Sequence, residues 1–277
     1  VNDGVCRNPK IVLIDNEEIS VTTTKQETKT YNSLKSLLKD PSISYQDLIK
    51  HEAVINYIVA QGVSKLATIR QQNSNAAGLI VASSVEHAEQ IVIVLIEIFH
   101  QSATIVTYKE SDAGERISHF RFSNIQWIVS VGMVSEGTDI PRLQVCCHLS
   151  RVKTELYFRQ VLGRILRVNN SPNQEAWLFT LAEETLTTFA NRIDQELPDN
   201  CVLIRNNAIA NENFGTENHK KTGSTRPDSQ PIDEIDDLLF SWRTNESNQL
   251  KTESQEVSFL QAFGGFRERI IETFLVG

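Results

Sequence analysis

No part of this 277-residue chain is apolar for long enough to cross a bilayer core of about 30 Å, because the longest run, Ile91 to Phe99, is broken by Glu97. The polar opening from Val1 to Arg7 lacks the apolar core of a secretory leader, so a cytoplasmic location without a membrane partner is expected. Cysteine is scarce: Cys6, Cys146, Cys147 and Cys201 show no Cys-x-x-Cys spacing, which argues against a zinc site or a redox disulfide. The adjacent pair Cys146 and Cys147 lies in an apolar run and reads as reduced core, and no metal-binding helix of the HExxH type occurs. A basic surplus is also missing. With 27 Lys and Arg against 35 Asp and Glu, the net charge of -8 excludes nucleic-acid binding by bulk attraction and leaves only local patches for it. Methionine occurs once, at Met133, and the chain opens on Val in a segment that reads like the middle of a longer protein, so a fragment is expected.

What is present is an alternation of short β-rich apolar runs with amphipathic helical stretches between Gly78 and Thr180, the pattern of a parallel sheet covered by helices. Strands are expected at 78–82, 103–107, 126–132, 143–149 and 175–180, and helices at about 85–99, 112–121, 153–168 and 183–195. Ahead of them, Leu48, Val54, Ile55, Ile58, Val59, Val63, Leu66 and Ile69 keep a helical period with one break expected near Gly62. Ile11 to Ile14 reads as an additional strand and Thr22 to Thr30 as a linker. After Leu203 the composition turns to Asn, Ser, Glu, Asp, Gly and Pro, too polar to offset the entropy of ordering. Arg205 to Glu256 carries ten acidic and six basic side chains, and disorder is expected there, above all over 206–230. Phe259, Leu260, Phe263, Phe266, Ile270, Ile271 and Phe274 would line one face of a terminal helix that Gly264 and Gly265 weaken.

The most informative run is Gln160-Val161-Leu162-Gly163-Arg164-Ile165-Leu166-Arg167. On a helix, Gln160, Gly163, Arg164 and Arg167 share one stripe, while Leu156, Val161, Leu162, Ile165 and Leu166 supply the opposite, buried side. Two guanidiniums and an amide then point one way, and Gly163 leaves room for a backbone or a phosphate to approach. Planar arginine donors suit the charge that spreads over a transferred phosphoryl group.

This run resembles motif VI of superfamily 2 helicases, Gln-x-x-Gly-Arg-x-x-Arg, at every fixed position. Upstream, Trp127 to Pro141 resembles motif V, an apolar strand that ends in the small-residue loop Gly132-Met133-Val134-Ser135-Glu136-Gly137-Thr138-Asp139 at the carboxyl edge where open α/β sheets bind ligands. It departs from many members in having Val131-Gly132 where they carry Thr-Asp. Gly78 to Ala88 resembles motif IV, a buried strand followed by a capping box with Ser83 as the cap and Glu86 three positions later. The loop and the Asp139-Ile140-Pro141-Arg142-Leu143 run look closest to the branch found with type I and type III restriction translocases.

The resemblance implies an α/β fold, a RecA-like parallel sheet with helices on both faces, acting as the C-terminal ATPase lobe. It implies Arg164 and Arg167 as arginine fingers, with Gln160 positioning the phosphate or the attacking water. Gly137, Asp139 and Gly163 would border the nucleotide, with Asp139 serving the ATP ribose or motif VI, and Ser83, Ser84 and Ser135 would face the nucleic-acid backbone. ATP and Mg2+ would be held mainly by an N-terminal RecA-like lobe of the full-length protein, since this sequence has no Gly-x-x-x-x-Gly-Lys-Ser/Thr loop and its Asp233-Glu234 pair follows motif VI with no strand before it. The nucleic-acid partner would be DNA, with RNA as the other candidate. The implied division is a linker over 1–43, the lobe over 44–204, a polar acidic tail over 205–256 and an amphipathic helix over 257–277. The rival reading is a non-enzymatic interaction module that retains the fold and docks a partner through the terminal apolar stripe.

Overall fold

The computed structural model describes residues 6–22, 28–109, 112–132, 139–169, 173–196, 201–204, 260–263 and 266–273. Of the expectations above, the loop carrying Ser135 and Gly137 and the acidic tail over 205–256 lie outside them. The apolar runs form β4 (Ala77–Val81), β5 (Ala103–Thr107), β6 (Trp127–Val131), β7 (Leu143–His148) and β8 (Glu175–Leu181). β4, β6 and β7 are buried at every position, as strands covered on both faces must be. With β1 (Asn8–Asn16) they make six parallel strands in the order β5-β6-β4-β7-β8-β1, the α/β RecA-like architecture.

Two layers of helices cover this sheet. On one face lies α3 (Glu52–Arg70), where a Cβ on Gly62 would come within 2.6 Å of the Cys147 sulfur and 3.1 Å of the Trp127 ring. Gly62 therefore does not break the helix but lets it settle onto the sheet. The interruption comes earlier, at the extended His51, which ends α2 (Tyr45–Lys50) and caps α3 by accepting a bond from the Ala53 N–H. On the other face α6 (Glu155–Ile165) sets Tyr157 and Phe158 against His148, the last residue of β7. α4 (Val85–Ile93), continued by a π-helical turn over Val94–Ile98, α5 (Ala113–Phe122) and α7 (Glu184–Glu196) complete the crossovers. Among the described residues no helix is long and apolar enough to cross a membrane.

The ends of the chain depart from expectation. Residues 1–43 were expected as a linker with an additional strand at Ile11 to Ile14; that strand is present as β1 (Asn8–Asn16), longer than expected and inside the main sheet, with Ile11 to Ile14 buried. β2 (Ile19–Thr22), β3 (Thr28–Tyr31) and the short α1 (Leu34–Leu37) follow it. The terminal segment is not a helix either. Leu260–Phe263 is β10, paired with β2, and Phe266–Thr273 is β11, antiparallel to β1 from Lys10↔Glu272 to Asn16↔Phe266, with β9 (Cys201–Ile204) beyond it. Gly264 and Gly265 sit where a helix would have to continue, and the arms on either side find strand edges with open hydrogen-bonding groups.

Two buried arginines fix the amino edge of the sheet. Arg7 Nη1 donates to the carbonyls of Leu143 at 2.6 Å and Ile165 at 3.2 Å, and its Nη2 to that of Pro141 at 2.8 Å. Arg142 donates to the carbonyls of Asn75, Phe120, Ser123 and Ile125 at 2.5–3.0 Å and lies over the Phe120 ring.

Two expectations follow. A Cβ on Gly78 would lie 2.2 Å from the Trp127 ring, so Gly78→Ala is expected to cost about 1–3 kcal/mol in chemical denaturation, through overpacking. Burial lowers the pKa of His148, and of His87 on α4, from 6.5 to about 4. The unfolded chain therefore binds these protons first. Their contribution is complete above pH 6.5 and is lost as pH falls toward 4. Thermal midpoints should decline between about pH 6.5 and 5, above the carboxylate range, and His148→Phe should flatten part of that slope.

Candidate functional site

α6 starts because Thr154 caps it, its hydroxyl accepting the Tyr157 N–H at 3.3 Å, with Glu155 in the first turn. It is seated by Phe158, Val161, Leu162 and Ile165, which are buried, whereas Leu156, expected on that face, is half exposed. Leu156 lies in the first turn, rotated away from the sheet. The outer side is tied to α7 by a carboxylate–guanidinium network: Arg159 contacts Glu196 at 2.7 Å and Glu155 at 2.8 Å, and Arg192 contacts Glu155 at 2.5 Å.

Gln160, Gly163 and Arg164 lie on the helix as the spacing requires, but Arg167 does not. The helix ends at Ile165, Leu166 is its C-cap, and Arg167 stands in a short antiparallel bridge opposite Cys6. The expected helix over 153–168 is therefore shorter at its end, because the segment at Cys6 and Arg7 captures the chain: the Arg7 N–H bonds the Leu166 carbonyl at 2.7 Å. Arg164 and Arg167 remain close enough to interact. Burial lowers the pKa of Arg164, the charge of Arg167 lowers it further, and Asp139 opposes both.

Asp139 is the anion of this cluster. One carboxylate oxygen pairs with Arg167 Nη1, and the other lies 3.7 Å from Arg121 Nη2 at the end of α5. Beside it Phe122 is 84% exposed. Gly163 is exposed, and a Cβ there would meet nothing within 4 Å, so among the described residues the surface at Gly163 is open. The arrangement offers fixed planar donors at a surface left open for an anion. Sequence reasoning missed Arg7, Arg121 and Arg142. Arg142 lies inside the Asp139 to Leu143 run, but nothing local signals that its guanidinium turns inward.

Ser83 and Ser84 are elsewhere. Ser83 is buried, its hydroxyl 2.8 Å from His87 Nδ1, which also accepts the Ser83 N–H at 3.2 Å. Ser84, rather than Ser83, is the N-cap of α4, accepting the His87 N–H at 3.2 Å. The cap falls one residue later because the Ser83 side chain is already taken by the buried imidazole. Both serines follow the carboxyl end of β4. Asp139, Arg164 and Arg167 stand instead at the amino edge, since α6 runs from the end of β7 back to the start of β8. β6 ends at Val131 at the carboxyl edge, whereas Asp139 stands shortly before the start of β7 at the amino edge. The candidate residues thus form two groups separated by a strand of five residues, roughly 17 Å. No cluster of three or more His, Cys, Asp or Glu among the described residues has the arrangement of a metal site.

No family model matches the chain. It is 29% identical over 139 residues to an uncharacterized protein of Mycobacterium leprae, covering 50% of this chain and 23% of that protein. It is 30% identical over 148 residues to an uncharacterized protein of Mycobacterium tuberculosis, covering 53% and 24% respectively. The chain thus spans about a quarter of the length of these curated relatives. Among solved structures it is similar to the helicase domain of Pyrococcus furiosus Hef, with TM-score 0.35 and 15% identity over 48% of this chain and 28% of that one. It is also similar to the Escherichia coli DEAD-box protein SrmB, with TM-score 0.38 and 13% identity over 48% and 78%. The fold assignment rests on the strand order itself, a parallel six-stranded sheet between two helical layers.

Proposed function

We propose that this chain is the C-terminal motor lobe of an ATP-dependent helicase or translocase that acts on DNA, or else RNA, in the cytoplasm. The observation that carries the reading is the juxtaposition of Arg164, Arg167 and Asp139 beside an unobstructed Gly163, within a chain where motif IV, V and VI resemblances follow one another in order. Arg164 and Arg167 meet the transferred phosphate of ATP. Gln160 positions that phosphate or the attacking water, and Gly137, Gly163 and Asp139 border the nucleotide. ATP and Mg2+ are held mainly by a second RecA-like lobe of the full-length protein. The opposite edge, with Ser83 and Ser84, faces the polymer backbone, and Ser135 is assigned the same role by the motif V resemblance. The loop after Gly132 and the Asp139-Ile140-Pro141-Arg142-Leu143 run support a relation to the restriction-translocase branch.

The buried donors of this lobe hold position, while the exposed ones supply charge to the transition state. ATP, when bound, supplies the phosphoryl group and Mg2+ its neutralising charge. The rival reading as a docking module relied on an apolar helix over 257–277, of which Leu260–Phe263 and Phe266–Thr273 instead pair as strands with β2 and β1.

In the full-length protein, Arg164→Ala and Arg167→Ala should each lower nucleic-acid-stimulated ATP hydrolysis by about 10³-fold or more, with an unchanged circular dichroism spectrum. Turnover at the parental rate in both variants would refute the assignment. Gly163→Ala should raise the stability of the lobe by roughly 0.5–1 kcal/mol, as alanine does inside a helix, and lower hydrolysis if a phosphate or the second lobe comes against that surface. Gain of stability with full activity would remove Gly163 from the site.

A further inference from the structure

The geometry points to Arg7 as the positioning residue of the two finger arginines, an inference that rests on the reading of Arg164 and Arg167 just given. Arg7 is fully buried, and every carbonyl its guanidinium reaches belongs to one of two segments. Pro141 and Leu143 lie just after Asp139, and Ile165 lies between Arg164 and Arg167. The backbone adds a second stitch, from the Arg7 N–H to the Leu166 carbonyl, with Cys6 bridged to Arg167. One side chain and its own peptide therefore set how far the segment that carries the anion stands from the segment that carries the donors.

The placement also follows from elementary electrostatics. The last carbonyls of α6 have no partners within the helix, and a cation at a helix C-terminus is favoured by the peptide dipoles. A planar fork with donors on two nitrogens bonds both segments at once. An ammonium is a point charge on a thinner stem and cannot reproduce that span. The other buried arginine is arranged differently: Arg142, inside the Pro141 to Leu143 segment, reaches Asn75, Phe120, Ser123 and Ile125, which ties that segment to α5 and the turn before β4, whereas Arg7 joins it to the end of α6. The two guanidiniums divide the edge between them. Arg7 is fully buried, contributes no atom to the surface at Gly163 and acts only through Asp139, Arg164 and Arg167.

The test uses the full-length protein with Arg7→Lys, Arg7→Gln, Arg167→Ala and each Arg7 variant combined with Arg167→Ala, with single-turnover ATP hydrolysis normalised to folded protein. Misplacement of a catalytic donor by a fraction of its length costs on the order of 10²-fold, so Arg7→Lys should lower kcat by about 10–100-fold with little change in KM for ATP. Its fold effect should shrink in the Arg167→Ala background, because one of the two donors it positions is gone there. Hydrogen exchange at residues 164–167 should quicken while that of β4 and β6 stays as in the parent. A parental kcat in Arg7→Lys beside a crippled Arg167→Ala overturns the positioning role and leaves the finger reading intact. The same fold loss in kcat with and without Arg167, or failure of both Arg7 variants to fold, makes Arg7 a residue of general stability and also overturns it. Unimpaired hydrolysis in Arg167→Ala ends the finger reading and this inference with it.

Discussion

A guanidinium without a carboxylate to answer it is costly to enclose, and this lobe encloses two, Arg7 and Arg142, on either side of the start of β7. Burial lowers both pKa values to about 10, still far above neutrality, so both stay charged and must be met by dipoles. Backbone carbonyls meet them, at the end of α6, the end of α5 and the turns that enter β4 and β7. Those are carbonyls that helix and sheet ladders leave open, so each arginine satisfies groups that would otherwise need water. The amino edge of the sheet is held by this exchange, and whatever stands on it takes its position from there.

That constraint separates the two ends of the strands. At the carboxyl edge the polar groups turn inward: Ser83 engages His87, and Glu183 accepts the N–H groups of Thr185 and Leu186 at the start of α7 while pairing with Lys153 at 3.0 Å. At the amino edge the inward polar groups include the two arginines and Gln144, while Arg164 and Arg167 stand above them partly buried. Donors held by a rigid frame need little reorganisation to meet an anion.

The sequence made the parallel sheet legible because its strands are continuous apolar runs and its helices carry a face of period 3.6. Val161, Leu162 and Ile165 are buried where that period puts them. The stripe of Gln160, Gly163 and Arg164 was readable for the same reason. Pairing over long separations was not. β11 meets β1 from the far end of the chain, and neither strand announces its partner, since an edge strand is completed by backbone groups that every residue has. Arg167 looked helical because the period continues through it, but the competing bond from the Arg7 N–H ends α6 first. The inward turn of Arg7 was hidden because a single arginine ahead of an apolar strand has the same sequence signature whether it is solvated or buried.

The ion pair of Asp139 and Arg167 is of a different kind from the buried bonds of Arg7. Asp139 and Arg167 are both substantially exposed, and such a pair contributes only about 0–1 kcal/mol to stability. Two neighbouring guanidiniums, one of them half-buried, raise each other's cost unless an anion lies between or beside them, and Asp139 now serves as that anion. A phosphate brings more acceptor oxygens than one carboxylate and can engage both guanidiniums at once, so exchanging one anion for the other loses little and gains a second charge-assisted contact. The exchange stays weakly opposed only while the frame is fixed independently of Asp139, and the bonds from Arg7 to Pro141, Leu143 and Ile165 do that. The strongly held arginine keeps the geometry on which any such exchange depends.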